Sequence, residues 1–240
     1  GGGTHLPDVS IAMPVFADGQ LLGFVCNIAH HADIGGMSPG SMAGGMKDIY
    51  QEGLRIPVVK LFKNGKLDQD IFDILLLNVR VREERRGDYN AQFSALHLAA
   101  RRLIEMINKY SSNLIKNVFD EIIDITYERM LSAIALIPDG VYRFKDVMDD
   151  DGRDAVNVPI NLTATIKGKS ALFDFEGTSP QTPGNINIPL HGTKAAVCYV
   201  LKAMLDSDIP NNQGVLDAVE VVAPMGTMVS CIAPASVAAR

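Results

Sequence analysis

Cysteine is scarce. Cys26, Cys198 and Cys231 are scattered through 240 positions, too far apart for a CxxC site and odd in number, which fits reduced thiols better than a disulfide framework. No apolar run approaches the roughly twenty residues that cross a bilayer, and no basic-then-apolar leader opens the sequence. A cytoplasmic chain with no membrane partner is therefore expected. Basic blocks are missing too, and with a net charge of -6 nucleic acid is not an expected partner. Gly40 to Lys47 superficially resembles a phosphate-binding loop, but Met46 follows Gly45 and the lysine comes one place late, so no nucleotide site is expected. Tryptophan is absent, which says nothing about function.

What is present is enough apolar material, 47% of residues with a mean hydropathy of +0.12, to bury a full core. The imidazoles are unevenly placed: His5, His30 and His31, with Asp8 and Asp33, crowd the first thirty-three residues. Val9, Ile11, Met13 and Val15 alternate with smaller or polar neighbours, Ala17-Asp18-Gly19-Gln20 reads as a turn, and Leu21 to Ala29 is nearly continuously apolar. That pattern predicts a β-hairpin closed at Asp18-Gly19. Its far ends bring the residues before Val9 beside those after Ala29, so His5, Asp8 and His30 converge. Two imidazoles and a carboxylate suit zinc, manganese, cobalt or iron, and Pro7 stiffens the spacer between His5 and Asp8. Aspartates ahead of strands also serve as turn residues, and paired histidines also bond backbone; spacing leaves both readings open.

Gly35 to Gly45 predicts a glycine-rich irregular loop, able to line a pocket or present amides to an anion, or equally a surface connection. Ile56 to Phe62 reads as a strand leading into an Asn64-Gly65 turn, and Asp68 opens a short helix to about Leu77. In Arg82 to Asp88, Gly87 predicts a break and Asp88 an N-cap; Arg85 or Arg86 suits an anion clamp, but alternating signs favour a solvated ion-pair face. Residues 88–134 then predict a helical hairpin. Its first helix is buried through Leu96, Ala99, Leu103, Ile107 and Tyr110, its second through Ile115, Val118, Phe119, Ile122, Met130 and Ile134, with the break at Ser111-Ser112-Asn113 and His97 exposed. Val156 to Ile166 alternates as a strand, with Pro159 marking an edge. Ser170 to Phe175 returns beside it, a helix starts near Thr193 with Val197, Val200, Leu201, Met204 and Leu205 buried, and Glu220 to Ala223 is a last strand. His191 lies in the loop before that helix, whose N-terminus suits an anion or is merely a connection. The fold class expected is α+β: a mixed β-sheet, a long helical hairpin and Gly-rich active-site loops in one unit.

Several stretches together carry a resemblance: Gly2-Gly3-Thr4-His5-Leu6-Pro7-Asp8-Val9, His30 to Met42, Glu52-Gly53-Leu54-Arg55-Ile56-Pro57, Arg85-Arg86-Gly87-Asp88 with Ala91-Gln92, and Asp174 to Gln181. They resemble the hydantoinase B family, which includes the B-type components of ATP-dependent N-methylhydantoinases, the C-terminal half of 5-oxoprolinase, ATP-dependent lactamases, and alpha subunits of acetone and acetophenone carboxylases. The resemblance implies the metal-dependent part of an ATP-driven cyclic-amide hydrolase. A hydantoinase A-type subunit or domain binds ATP and phosphorylates a carbonyl oxygen, and the B-type part processes the intermediate. Alternatives are an alpha-type carboxylase subunit and an inactive or structural subunit that only binds the A-type partner. By the same resemblance His5, Asp8 and His30 match divalent-metal ligands (zinc or manganese), His31 and Asp33 an acid-base or outer-sphere role, ATP sits on the partner, and the assembly is a hetero-oligomer. Family chains are longer at both ends and carry a further carboxylate ligand in an N-terminal region, so 1–240 is expected to be a middle portion.

Overall fold

The computed structural model describes residues 4–238, so Gly2 and Gly3 of the first motif lie outside the described residues. Strands β1 (Asp8–Ala17) and β2 (Gln20–His30) form the expected antiparallel hairpin. Asp18 and Gly19 close it at φ 51° and 75°, the paired positive values that match the twist of the flanking strands. Next to the turn Ala17 opposes Gln20 and Phe16 opposes Leu21, but beyond it Val15 opposes Gly23. Leu22 is skipped as a bulge, which moves the pairing on by one residue and sets Asp8 opposite His30.

A loop, residues 31–61, interrupted by a single 3-10 turn at Ile49–Gln51, leads to the two-residue strands β3 (Phe62–Lys63) and β4 (Lys66–Leu67). They fold about Asn64 and Gly65, both at positive φ. The longer strand expected over Ile56 to Phe62 is reduced to its last residue, since residues 56–61 belong to no strand and Val58 stands fully in solvent. Helix α1 (Gln69–Leu77) follows, its first turn capped by the Asp68 carboxylate accepting from the Ile71 amide.

Helix α2 (Arg82–Tyr110) begins six residues before the position expected from Gly87 and Asp88 and runs through both. Glycine in a helix interior costs about 1 kcal/mol, and burial of Arg85 and Tyr89 on either side of Gly87 outweighs it. Glu83 and Glu84 also suit the first turn. Ser111 alone separates α2 from α3 (Ser112–Ile134), its hydroxyl accepting from the Leu114 amide, so the hairpin spans 82–134. Its buried face departs from expectation: Ile107, Ile115, Met130 and Ile134 are buried, but Tyr110, Val118, Phe119 and Ile122 are exposed.

Strands β5 (Gly140–Asp150), β6 (Val156–Lys167), β7 (Ser170–Asp174) and β8 (Glu220–Val222) form one mixed sheet in that order, antiparallel except for β7 with β8. Pro159 pairs with Val147 on β5 but lies beyond the end of β7, so its missing N–H falls where β6 has one strand neighbour. The crossover to β8 contains α4 (Leu190–Leu205) and α5 (Gln213–Asp217). α4 buries Thr193, Cys198 and Leu201, whereas Val200 and Met204, expected inside, are exposed. The α+β class with a mixed sheet and helical hairpin stands.

Two apolar clusters result. Val9, Ile34, Phe72, Leu75, Leu76, Tyr89 and Phe93 pack beneath the N-terminal hairpin. Met130, Ile134, Val158, Ile166, Leu201, Val221 and Met228 are among those around the mixed sheet. The loop of residues 31–61 lies against the sheet half: Ile49 N donates to the Pro234 carbonyl and Asn185 Nδ2 to the Ala43 carbonyl. Nearby, Asp151 accepts from the amides of Arg153, Ala155 and Gly184. An alanine methyl at Gly184 would stand 1.8 Å from the Asp151 carbonyl oxygen. Gly184→Ala is expected to lower the unfolding free energy by about 2 kcal/mol or more, read from the urea midpoint at unchanged slope; an unchanged midpoint would refute this account of the packing.

Candidate metal centre

The hairpin register decides which side chains meet. Directly opposed residues share a sheet face, so Asp8 and His30 project together, and the short Leu6-Pro7 spacer folds His5 back onto the same carboxylate. His5 Nδ1 lies 2.8 Å from Asp8 Oδ2 and His30 Nδ1 3.2 Å from Asp8 Oδ1. The two rings approach to 5.0 Å between centroids. Thr4 Oγ1 donates to Asp8 Oδ2 at 3.2 Å, orienting the carboxylate from outside. One ligand atom from each of His5, Asp8 and His30 lies within 4.8 Å of the other two. Small side-chain rotations bring that spread to the roughly 3–4 Å expected of ligand atoms sharing an ion bound at about 2 Å. The donor set, two imidazoles and a carboxylate, fits a borderline divalent ion. His5 and Asp8 side chains are largely covered, at 9% and 18% exposure, whereas His30 is half open at 52%; the cluster faces solvent on one side.

His31 and Asp33 are placed differently. His31 is buried at 1% exposure, its ring 4.6 Å from that of Tyr89 and its Nε2 2.9 Å from Gln92 Oε1. Asp33 shapes the glycine-rich loop: Oδ1 accepts from the amides of Gly35 and Arg80, Oδ2 from the Gly40 amide and the Arg80 guanidinium, all at 2.9–3.0 Å. Arg80 also donates to the carbonyls of Gly36 and Ser38. Ser41 completes the loop, accepting from Ile34 N and donating to the Gly35 carbonyl. The amides of Gly35 and Gly40 are thus committed internally, and a loop carrying fully buried Ser41, Met46 and Glu52 is packed structure. Glu52 accepts from Ser236 Oγ and from the amides of Val237 and Ala238.

Of the arginines singled out in the sequence, Arg86 is half covered, paired with Glu83 and lying over the Phe72 ring, but Arg85 is buried against Asp88 and does not sit on a solvated face. His97 is exposed, as expected. His191 is the second residue of α4 and exposed. The next residue, Gly192, comes so near the ligand-bearing segment that a methyl there would lie 3.2 Å from Thr4 Cγ2. Sequence reasoning named Thr4 and Gln92 only within matching motifs, without a role, and passed over Arg80. Gln92 carried a signal: a lone amide within the Tyr89, Phe93, Leu96 stripe of a helix. Arg80 carried none, because its partners, the Asp33 carboxylate and main-chain carbonyls, lie on a loop distant in sequence.

The hairpin cluster on this α+β scaffold defines a chain built around a candidate divalent-cation centre. Residues 1–240 match the Hydantoinase B/oxoprolinase family, and the chain belongs to it. The putative B-type component of a D-/L-hydantoinase from Pseudomonas sp. (strain NS671) is 36% identical over 251 residues, covering 100% of this chain and 42% of that protein. The crystal structure of ATP-dependent caprolactamase from Pseudomonas jessenii superposes with a TM-score of 0.90 at 32% identity, covering 98% of this chain and 41% of that one. The nucleotide-free structure of acetone carboxylase shares the fold, with a TM-score of 0.89 at 21% identity over 98% of this chain and 33% of that one. The chain spans about two fifths of the length of the curated relatives it matches first. No helix among the described residues is long and apolar enough to cross a membrane.

Burial pushes the Asp33 carboxyl upward, but hydrogen bonds from the Arg80, Gly35 and Gly40 amides and the Arg80 side chain outweigh it and hold the group below the ordinary aspartate value. A depressed folded-state value stabilises above the unfolded one, about 3.9, and that contribution is lost as pH falls through the folded one. Asp33→Asn is therefore expected to cost on the order of 2 kcal/mol at neutral pH. The gap between the two proteins should close below about pH 4 in denaturant titrations, and a gap of constant size would contradict the assignment.

Proposed function

We propose that this chain is the metal-holding, B-type part of an ATP-dependent cyclic-amide hydrolase of the hydantoinase or oxoprolinase kind. The observation that carries the reading is the convergence of His5, Asp8 and His30 at the open end of one hairpin. The names of its relatives, a hydantoinase component and an ATP-dependent caprolactamase, supply the reaction class. On this reading an A-type subunit or domain binds ATP and phosphorylates the carbonyl oxygen of a small cyclic amide, and the activated intermediate reaches this centre within a hetero-oligomer.

His5, Asp8 and His30 would hold zinc or manganese, which supplies Lewis-acid polarisation of a carbonyl or phosphoryl oxygen and a more acidic bound water. The protein's own residues do the rest. Asp8 contributes the negative charge and is oriented by Thr4. His30, the exposed member, faces the side from which substrate arrives. His31 and Asp33 act from outside the ligand set, His31 by fixing the end of β2 and Asp33 by holding the glycine-rich loop with Arg80, which favours the outer-sphere role over acid-base catalysis.

The fold shared with acetone carboxylase favours a second reading, in which the same centre serves ATP-dependent carboxylation. Substrate trials with an A-type partner separate the two, since ATP consumption would depend on a cyclic amide in one case and on a ketone plus bicarbonate in the other. The metal is tested first. Elemental analysis is expected to find near-stoichiometric zinc or manganese, reduced at least about tenfold in His5→Ala and His30→Ala. Full activity of His5→Ala in the reconstituted complex would instead favour a structural role for the chain and sink the metal reading.

A further inference from the structure

Behind the candidate centre lies a buried amide that touches both strands carrying it. Gln92, at 5% exposure on α2, makes three side-chain contacts. Its Nε2 donates to the Val9 carbonyl at 3.0 Å and to Asn27 Oδ1 at 3.1 Å, and its Oε1 meets His31 Nε2 at 2.9 Å. Asn27 answers through Nδ2 to the Gln92 carbonyl at 2.9 Å. Val9 adjoins Asp8 and His31 adjoins His30, so two of the contacts fall one residue from a proposed ligand, on the opposite face of the hairpin.

The polarity of this network follows from chemistry. A main-chain carbonyl only accepts, so the Val9 carbonyl requires the nitrogen of the Gln92 amide, which turns Oε1 toward His31. That oxygen also only accepts, and so His31 carries its proton on Nε2. The Gln92 carbonyl likewise demands Asn27 Nδ2, leaving Oδ1 to receive Gln92 Nε2. Each orientation is dictated, and none survives a slip of the strands. The clamp also reaches the His5 to Asp8 spacer, because the His31 amide donates to the Pro7 carbonyl at 2.8 Å, which receives the Val9 amide as well.

We propose that Gln92 is the positioning residue of the centre: it ties the ligand-bearing ends of β1 and β2 to α2 and to each other, so that Asp8 and His30 stay at the separation one cation requires. The proposal rests on the metal reading above. Its function is preorganisation, since ligands held in place before binding lose little entropy on closing around an ion.

The test uses the 240-residue chain, with cobalt(II) as probe, read by its visible d–d absorption and by competition with zinc. Gln92→Glu keeps the length of the side chain and an acceptor for His31 but sets an oxygen against the Val9 carbonyl. Asn27→Ala removes one arm of the clamp from a half-buried position and decides the matter if Gln92→Glu does not fold. Weaker cobalt binding is expected in both, by about 10- to 100-fold for Gln92→Glu and less for Asn27→Ala, together with a displaced d–d band at saturation. Unchanged affinity and band in the folded variants would overturn the role of Gln92 while leaving the metal reading intact. Weaker binding with an unaltered band would assign Gln92 to general stability and also overturn it. No cobalt binding by the unmodified chain, alone or with the N-terminal region that family members carry supplied, would instead remove the metal reading, and this proposal with it.

Discussion

The candidate centre depends on one skipped residue. Read outward from the Asp18-Gly19 turn, regular pairing would put Asp8 opposite Ala29. Because Leu22 is left out of the ladder, Asp8 meets His30 instead. Side chains alternate faces with period two, so a register one residue off would send the histidine to the other side of the ribbon. A bulge near a turn is a local matter, but its effect is carried undiminished to the far end of the strands.

A two-stranded ribbon is marginal by itself, and this one is held by what lies against it. Val9 enters the apolar cluster with Phe72, Tyr89 and Phe93, and α2 supplies the amide that reads both strands. The dense interior on this side explains why His31 is not a second open imidazole: it sits between Tyr89 and Gln92, with almost nothing of its ring left to solvent. Burial pushes the Tyr89 hydroxyl up to about 12, with Arg85 pulling slightly the other way, so the phenol stays neutral across the working pH range.

Much of this was legible in the chain. Alternation from Val9 to Val15, the Asp18-Gly19 turn and the apolar run to Ala29 gave the hairpin, and the positions of His5, Asp8 and His30 gave the cluster. The bulge went unread, although Gly23, a lone glycine in the apolar run beside Leu22, is the kind of residue beside which one falls. Gly87 misled because helix propensity is a weak local term, and the burial of Arg85 and Tyr89 that overrides it is a tertiary event. The extended stretch before Phe62 has strand composition but no partner. Val118, Phe119 and Ile122 have the right spacing for a buried stripe, yet periodicity reports which residues share a face, not whether that face is covered. Strand β5 escaped reading altogether because nearly all of it is exposed, so it lacks the alternation of a half-buried strand.

The join between the two apolar clusters is polar. Glu52, on the 31–61 loop, grips the amides of Val237 and Ala238 across it. These two N–H groups are enclosed behind one carboxylate at the seam and belong to neither cluster. Their exchange with solvent deuterium therefore follows the parting of the two halves, and the lifetime of the loop between them is that of the seam, however stable each half is alone.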